Sequence, residues 1–150
     1  MSSVLANPQL PWIYRYVSSN PNITMKDVLA NPQIPWDYEN LSLNPNITMK
    51  DVLANLDKPW GYDWLSENPN ITMADVLANP KKKWNYINLT KNPNITIADV
   101  LANPNIPWFG DPNITWIAIS YLSQNKFTKD PRYIKIANKI IKDLENISQN

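Results

Sequence analysis

The residues whose types and spacing could do chemistry are four aspartates and five asparagine-X-threonine triplets. Asp27, Asp51, Asp75 and Asp99 stand 24 residues apart, a ladder of acids of the kind that metal binding or acid–base work would use. Carboxylates one repeat apart do not converge on a single substrate, and each has a simpler duty at the start of a helix. Asn22, Asn46, Asn70, Asn94 and Asn113 open Asn-X-Thr triplets, the acceptor pattern for an N-linked glycan. Here the asparagine turns the chain and the threonine caps a helix, so the triplet reads as structural. The chain has no histidine and no cysteine. That removes the commonest general base and transition-metal ligand, together with disulfides and thiol chemistry. No nucleophile–base pair and no metal set can be assembled. The expectation is a protein that is not an enzyme, with no catalytic residue, no metal ligand and no cofactor.

The elements that place these residues follow from one repeated block. Asn44-Pro45-Asn46-Ile47-Thr48-Met49-Lys50-Asp51-Val52-Leu53-Ala54-Asn55 returns nearly unchanged at Asn20, Asn68 and Asn92, and Trp12, Trp36, Trp60, Trp84 and Trp108 keep the same 24-residue interval. A fixed period of this size marks a repeat array. Within a unit, Thr24 is placed to cap a helix and Asp27 to complete a capping box, with Ile23 and Val28 at hydrophobic-staple spacing. Pro32 stops that helix, predicting a first helix over 24–30. Pro35 at a first helical position predicts a second helix ending near Ser42, with Trp36, Tyr38 and Leu41 on its buried side. Asn44-Pro45-Asn46 turns into the next unit. Helices of two turns do not stand alone. They must be held by stacking, with Val28, Leu29, Tyr38 and Leu41 and their equivalents Val52, Leu53, Tyr62 and Leu65 forming a continuous core.

The first unit is incomplete: Val4-Leu5-Ala6-Asn7 align with Val28 to Asn31, and Ser2 or Ser3 stands in weakly for the missing cap. After Trp108 the pattern breaks, because Asp111-Pro112-Asn113-Ile114-Thr115 follows Asn92 by only 19 residues. Asp130 and Pro131 then open an amphipathic stretch with Tyr133, Ile136, Ala137, Ile140, Ile141, Leu144 and Ile147 at helical spacing. The predicted fold is all-α: a solenoid of 24-residue repeats, each two short helices joined by Pro turns, with a longer C-terminal capping helix. Residues 1–125 form the array, and residues 126–150 the capping helix of the same domain.

Positions that vary between units while the frame repeats are expected at the surface, where arrays present their partner-binding face. The interaction surface is therefore read as Gln33, Ile34, Asp37, Glu39, Asp57, Lys58, Asp63, Trp64, Lys81, Lys82, Lys83 and Asn85. A net charge of +1 argues against nucleic acid, whose phosphates call for an excess of Lys and Arg. No long apolar run spans a membrane and no basic–apolar leader is apparent, so the expected location is intracellular.

The recurring unit Asn-Pro-Asn-Ile-Thr-X-X-X-Val-Leu-Ala-Asn-Pro…Pro-Trp-X-Tyr…Leu-Ser-X-Asn resembles repeat proteins encoded by giant DNA viruses of amoebae. The resemblance covers residues 4–122 and not the Lys126–Asn150 tail. It implies repeated helical units and no assigned chemistry, so no functional residue is carried over. The expected function is a protein–protein interaction module with a host or viral partner, in the cytoplasm of an infected cell. The alternatives are a structural or self-assembling component of a virion or viral assembly, associating through the N-terminal repeat, and a single-stranded nucleic-acid binder using Trp64, the other aromatics and the lysine run.

Overall fold

A computed structural model describes residues 2–7, 9–103 and 105–108, and residues 131, 135 and 138 singly. The described residues contain nine short helices and no strand. They fall in two compact units, Met1–Trp84 and Asn85–Asn150.

The first unit carries α1 (Ser2–Ala6), α2 (Tyr14–Ser18), α3 (Met25–Ala30), α4 (Tyr38–Leu43), α5 (Met49–Ala54), α6 (Tyr62–Glu67) and α7 (Met73–Ala78). The start of α3 is fixed as the sequence predicts. The amide of Asp27 donates to the Thr24 hydroxyl oxygen, and the amide of Thr24 donates to the Asp27 carboxylate at 3.0 Å. The same closed box starts α5 and α7. Two otherwise unpaired donors are satisfied in each case, which is what lets a six-residue helix begin at all. Ile23 and Val28 are both buried, in agreement with a staple.

At its other end each of these helices closes on an asparagine and a tryptophan. The Asn31 side chain donates to the Asp27 carbonyl at 2.8 Å. The Trp36 indole N–H donates to the Asn31 carbonyl at 3.0 Å. Trp12, Trp60 and Trp84 repeat this bond on Asn7, Asn55 and Asn79 at 2.8–3.0 Å. The recurring tryptophan is thus a helix terminator: it satisfies a carbonyl at the C-terminal end and packs its ring inward.

That duty corrects the reading of the second helix. Pro35 and Trp36 are not its first turn; they lie in an extended connection, and α4 starts only at Tyr38, with Asp37 as its cap. The indole reaches back to Asn31 from this extended segment, and the Asp37 carboxylate accepts from the Asn40 amide at 3.0 Å. A second correction concerns the core. Leu29 and Leu53 do not join it, being 55% and 42% exposed, whereas Val28, Val52, Leu41 and Leu65 are buried as expected. Met25, Met49 and Met73 take the place assigned to the leucines. Tyr38 and Tyr62 are half-buried.

Successive repeats of this unit are joined mainly through the second helices, α2 on α4 and α4 on α6. Their ends are tied by an asparagine ladder. The Asn44 side-chain oxygen accepts from the Asn46 amide inside its own turn at 2.9 Å. Its NH2 group donates to the Ser18 and Asn20 carbonyls of the preceding repeat, both at 2.9 Å. Asn68 repeats this on Ser42 and Asn44 at 2.7 and 3.0 Å. Asn46 and Asn70 donate to the Pro21 and Pro45 carbonyls. The Ser18 hydroxyl oxygen accepts from the Asp37 amide and that of Ser42 from the Gly61 amide, each at 3.0 Å. Tyr38 meets Trp60, and Tyr62 meets Trp84, edge to face at 5.1 and 5.3 Å between ring centroids. Neighbour contact therefore supplies the stability that helices of this length lack.

In the second unit, α8 (Tyr86–Leu89) is capped by Asn85, and α9 (Ile97–Ala102) by a Thr96–Asp99 box. The Trp108 indole donates to the Asn103 carbonyl at 2.9 Å, and its ring meets Tyr86 edge-on. The expected capping helix over 126–150, and the shortened unit before it, lie outside the described residues apart from Pro131, Lys135 and Asn138, which are helical and exposed.

Candidate interaction surface

The twelve residues picked out as variable separate into two sets. Five have structural duties. Ile34 is buried, at 9% exposure, which removes it from the surface set. Asp37 and Asn85 are half-buried helix caps, their side chains accepting from the Asn40 and Asn88 amides at 3.0 Å. Lys58 and Lys82 occupy equivalent positions and each lies by the tyrosine of the repeat before it. The Lys82 ammonium is 5.5 Å from the Tyr62 ring centroid. Lys58 shares with Tyr38, Trp36, Ile34 and Leu29 the lining of a cleft of about 320 Å³. Burial pushes the Tyr38 hydroxyl's pKa up, with the Lys58 charge opposing it.

The other seven, Gln33, Glu39, Asp57, Asp63, Trp64, Lys81 and Lys83, are exposed. Asp57 and Lys58 pair at 2.8 Å. The hydrogen bond from Lys58 holds the Asp57 carboxyl below its ordinary range, and the same bond raises Lys58. A pair this exposed adds little to stability. Trp64 is 41% exposed and leans over Gly61, where an added Cβ would meet its ring at 2.7 Å. The glycine and the tryptophan therefore belong together, replacing the Asp37/Asn40 and Asn85/Asn88 pairs of the neighbouring repeats.

One recurring surface feature departs from the expected core. Leu5, Leu29, Leu53 and Leu77, one per repeat at the same helix position, are 42–55% exposed. The alanine that follows each is exposed as well. The geometry of a helix held the clue: adjacent residues point about 100° apart, so Val28 and Leu29 do not share one direction. The acid ladder is accounted for locally. In the first box the Thr24 hydroxyl and amide both donate to Asp27, at 2.6 and 3.0 Å, and these bonds hold its carboxyl below the usual range. Among the described residues no three His, Cys, Asp or Glu side chains gather into a group that could hold a metal, and no helix is long and apolar enough to cross a membrane. The Asn46 and Asn70 amides, the acceptor atoms of two Asn-X-Thr triplets, are spent on the repeat before them.

No protein-family model matches the chain, and no curated protein and no solved structure matches it.

Proposed function

We propose that the chain is a non-enzymatic α-solenoid of 24-residue repeats that presents its lateral surface to a protein partner. The observation that carries this reading is the row Leu5, Leu29, Leu53 and Leu77. Single exposed apolar side chains are ordinary, but the same large one exposed at the same position in successive repeats is a periodic apolar face. The frame holding it is closed by its own hydrogen bonds and needs none of these leucines for its core. The exposed Glu39, Asp57, Asp63, Trp64, Lys81 and Lys83 add mixed charge and one aromatic anchor, the composition by which one protein is told from another. The resemblance to giant-virus repeat units makes a host or viral protein the partner to seek, in infected amoebae.

The test is capture on the immobilised full chain from infected-cell extract, set against the Leu29→Glu/Leu53→Glu/Leu77→Glu chain. Proteins held by the parent and released by the variant, with unchanged circular dichroism, support the reading. Repeated capture of nothing, or the same proteins on both chains, overturns it.

A further inference from the structure

The charges of the first unit are sorted by element. Helices α4 and α6, with their caps, carry Asp37, Glu39, Asp63 and Glu67 and no base. The first helices and the connectors after them, residues 24–36, 48–60 and 72–84, carry Lys26, Lys50, Lys58, Lys81, Lys82 and Lys83. Four acids share those segments, and each is already held. Asp27, Asp51 and Asp75 accept from the hydroxyls and amides of their capping threonines, and Asp57 pairs with Lys58. Lys26, Lys50, Lys81, Lys82 and Lys83 are in no ion pair among the described residues.

These lysines stand around the exposed leucines. Lys26 precedes Leu29 by three residues on α3, and Lys50 precedes Leu53 by three on α5. That spacing sets each pair side by side on the helix surface, and all four residues are exposed. Lys58, from the connector of the next repeat, lines the same cleft as Leu29, together with Val28, Pro32 and Ile34. Lys82 stands in the same relation to Leu53 by sequence, and it lies by Tyr62 as Lys58 lies by Tyr38. Leu56, 57% exposed, takes the place of Pro32 and Pro80 and extends the apolar strip past Leu53. Leu29 and Leu53 are thus each served by one lysine from their own helix and one from the connector that follows.

We infer that the leucine row binds an acidic segment of a partner protein, whose apolar side chains meet the leucines and the cleft and whose carboxylates meet Lys26, Lys50 and Lys82. The inference rests on the reading of that row as a partner-binding face and adds the partner's chemistry. Charge complementarity makes the choice. A basic segment would meet lysines on every side, with the nearby acids already committed, whereas an acidic one finds ammonium groups that no carboxylate holds. A nucleic-acid strand fits less well. Its bases stack on aromatic faces, but the row offers leucines, and the exposed Trp64 lies on the acidic helix α6, next to Asp63 in the chain. An anionic bilayer takes up apolar side chains that project from a surface. The cleft of about 320 Å³ beside Leu29 is instead a recess that receives one.

An array of random-sequence synthetic peptides, probed with the labelled full chain, tests it. Peptides held by the parent are expected to be rich in Glu and Asp together with Leu, Phe or Trp, and to be released as salt rises. Lys26→Glu/Lys50→Glu is the decisive variant. An acid in the first turn suits a helix start, so its Tm should be undiminished while its signal on those peptides falls about tenfold. Leu29→Ser/Leu53→Ser/Leu77→Ser, which removes the apolar row without adding charge, should lose them as well. Arg15→Glu, a reversal on the second helix α2, should leave the pattern as it is. Binders without an acidic excess, or acidic binders kept in full by Lys26→Glu/Lys50→Glu, overturn the inference, and if the serine variant releases them the row itself still stands. Acidic binders kept by the serine variant overturn both readings. A blank array overturns the inference too, whether or not the chain then binds phosphatidylserine vesicles or oligothymidine.

Discussion

At the scale of single residues, the asparagines carry the structure. Asn44 is fully buried, and all three hydrogen bonds that fix its amide group go to backbone atoms, one in its own turn and two in the repeat before. Replacing it with leucine keeps the volume and strands the Asn46 N–H and the Ser18 carbonyl, while the Asn20 carbonyl keeps the Ile23 amide. At roughly 1 kcal/mol for each group left unpaired, Asn44→Leu is expected to cost about 2 kcal/mol, read as a lower urea midpoint with an unchanged slope. Asp27 gives a pH signature. Its folded-state pKa lies below the ordinary 3.8, so its contribution is complete at neutral pH and lost as the pH falls through the folded value. The stability gap between the parent and Thr24→Val should therefore be widest near neutrality and narrow steadily in acid, which urea titrations across that range will measure. The capping pair was readable from sequence because its members lie three residues apart. The asparagine bonds were not, because they join residues 24 and 26 apart through side chains. No local pattern announces such a pair; the period only says that something must hold the units together.

At the scale of elements, the first helix of each repeat was predicted almost to the residue and the second was not. Thr, Asp and Pro bracket the first helix with local physics alone. For the second, Pro35 was a sound starting signal that lost to a longer-range demand: the Trp36 indole must reach the Asn31 carbonyl, which keeps 35–37 extended. The misplaced leucines have the same origin. In a helix of six residues, with Met25 and Val28 already turned inward, no inward room remains for Leu29. The Gly61–Trp64 pair offers a test of how strictly an element is specified. Gly61→Asp supplies the cap that Asp37 gives α4 but drives a Cβ into the indole. Alone it should destabilise by about 1 kcal/mol through overpacking. With Trp64→Asn beside it the loss should vanish, and a double-mutant cycle reads the coupling directly.

At the scale of the molecule, the period itself is a constraint. Because each ladder asparagine bonds both within its turn and to the turn before, a change of length that is not one whole unit leaves an amide facing the wrong carbonyls. Deleting Asn44–Glu67 joins Leu43 to Asn68, which then takes the place of Asn44 over Ser18 and Asn20. That chain should keep its helical signal per residue and a single cooperative melt. Deleting one residue fewer, Asn44–Ser66, should lose the cooperative melt, as circular dichroism will show. What the period does not contain is the identity of a partner, since the exposed residues obey no packing rule from which one could be inferred. One consequence of the ladder concerns how the protein is made. Asn44, Asn68, Asp37 and Gly61 all give their hydrogen atoms backward, to groups that precede them in the chain. A ribosome releases the earlier repeat first, so each new turn meets acceptors that have already left the exit tunnel, and the first unit can be assembled in the order of its synthesis.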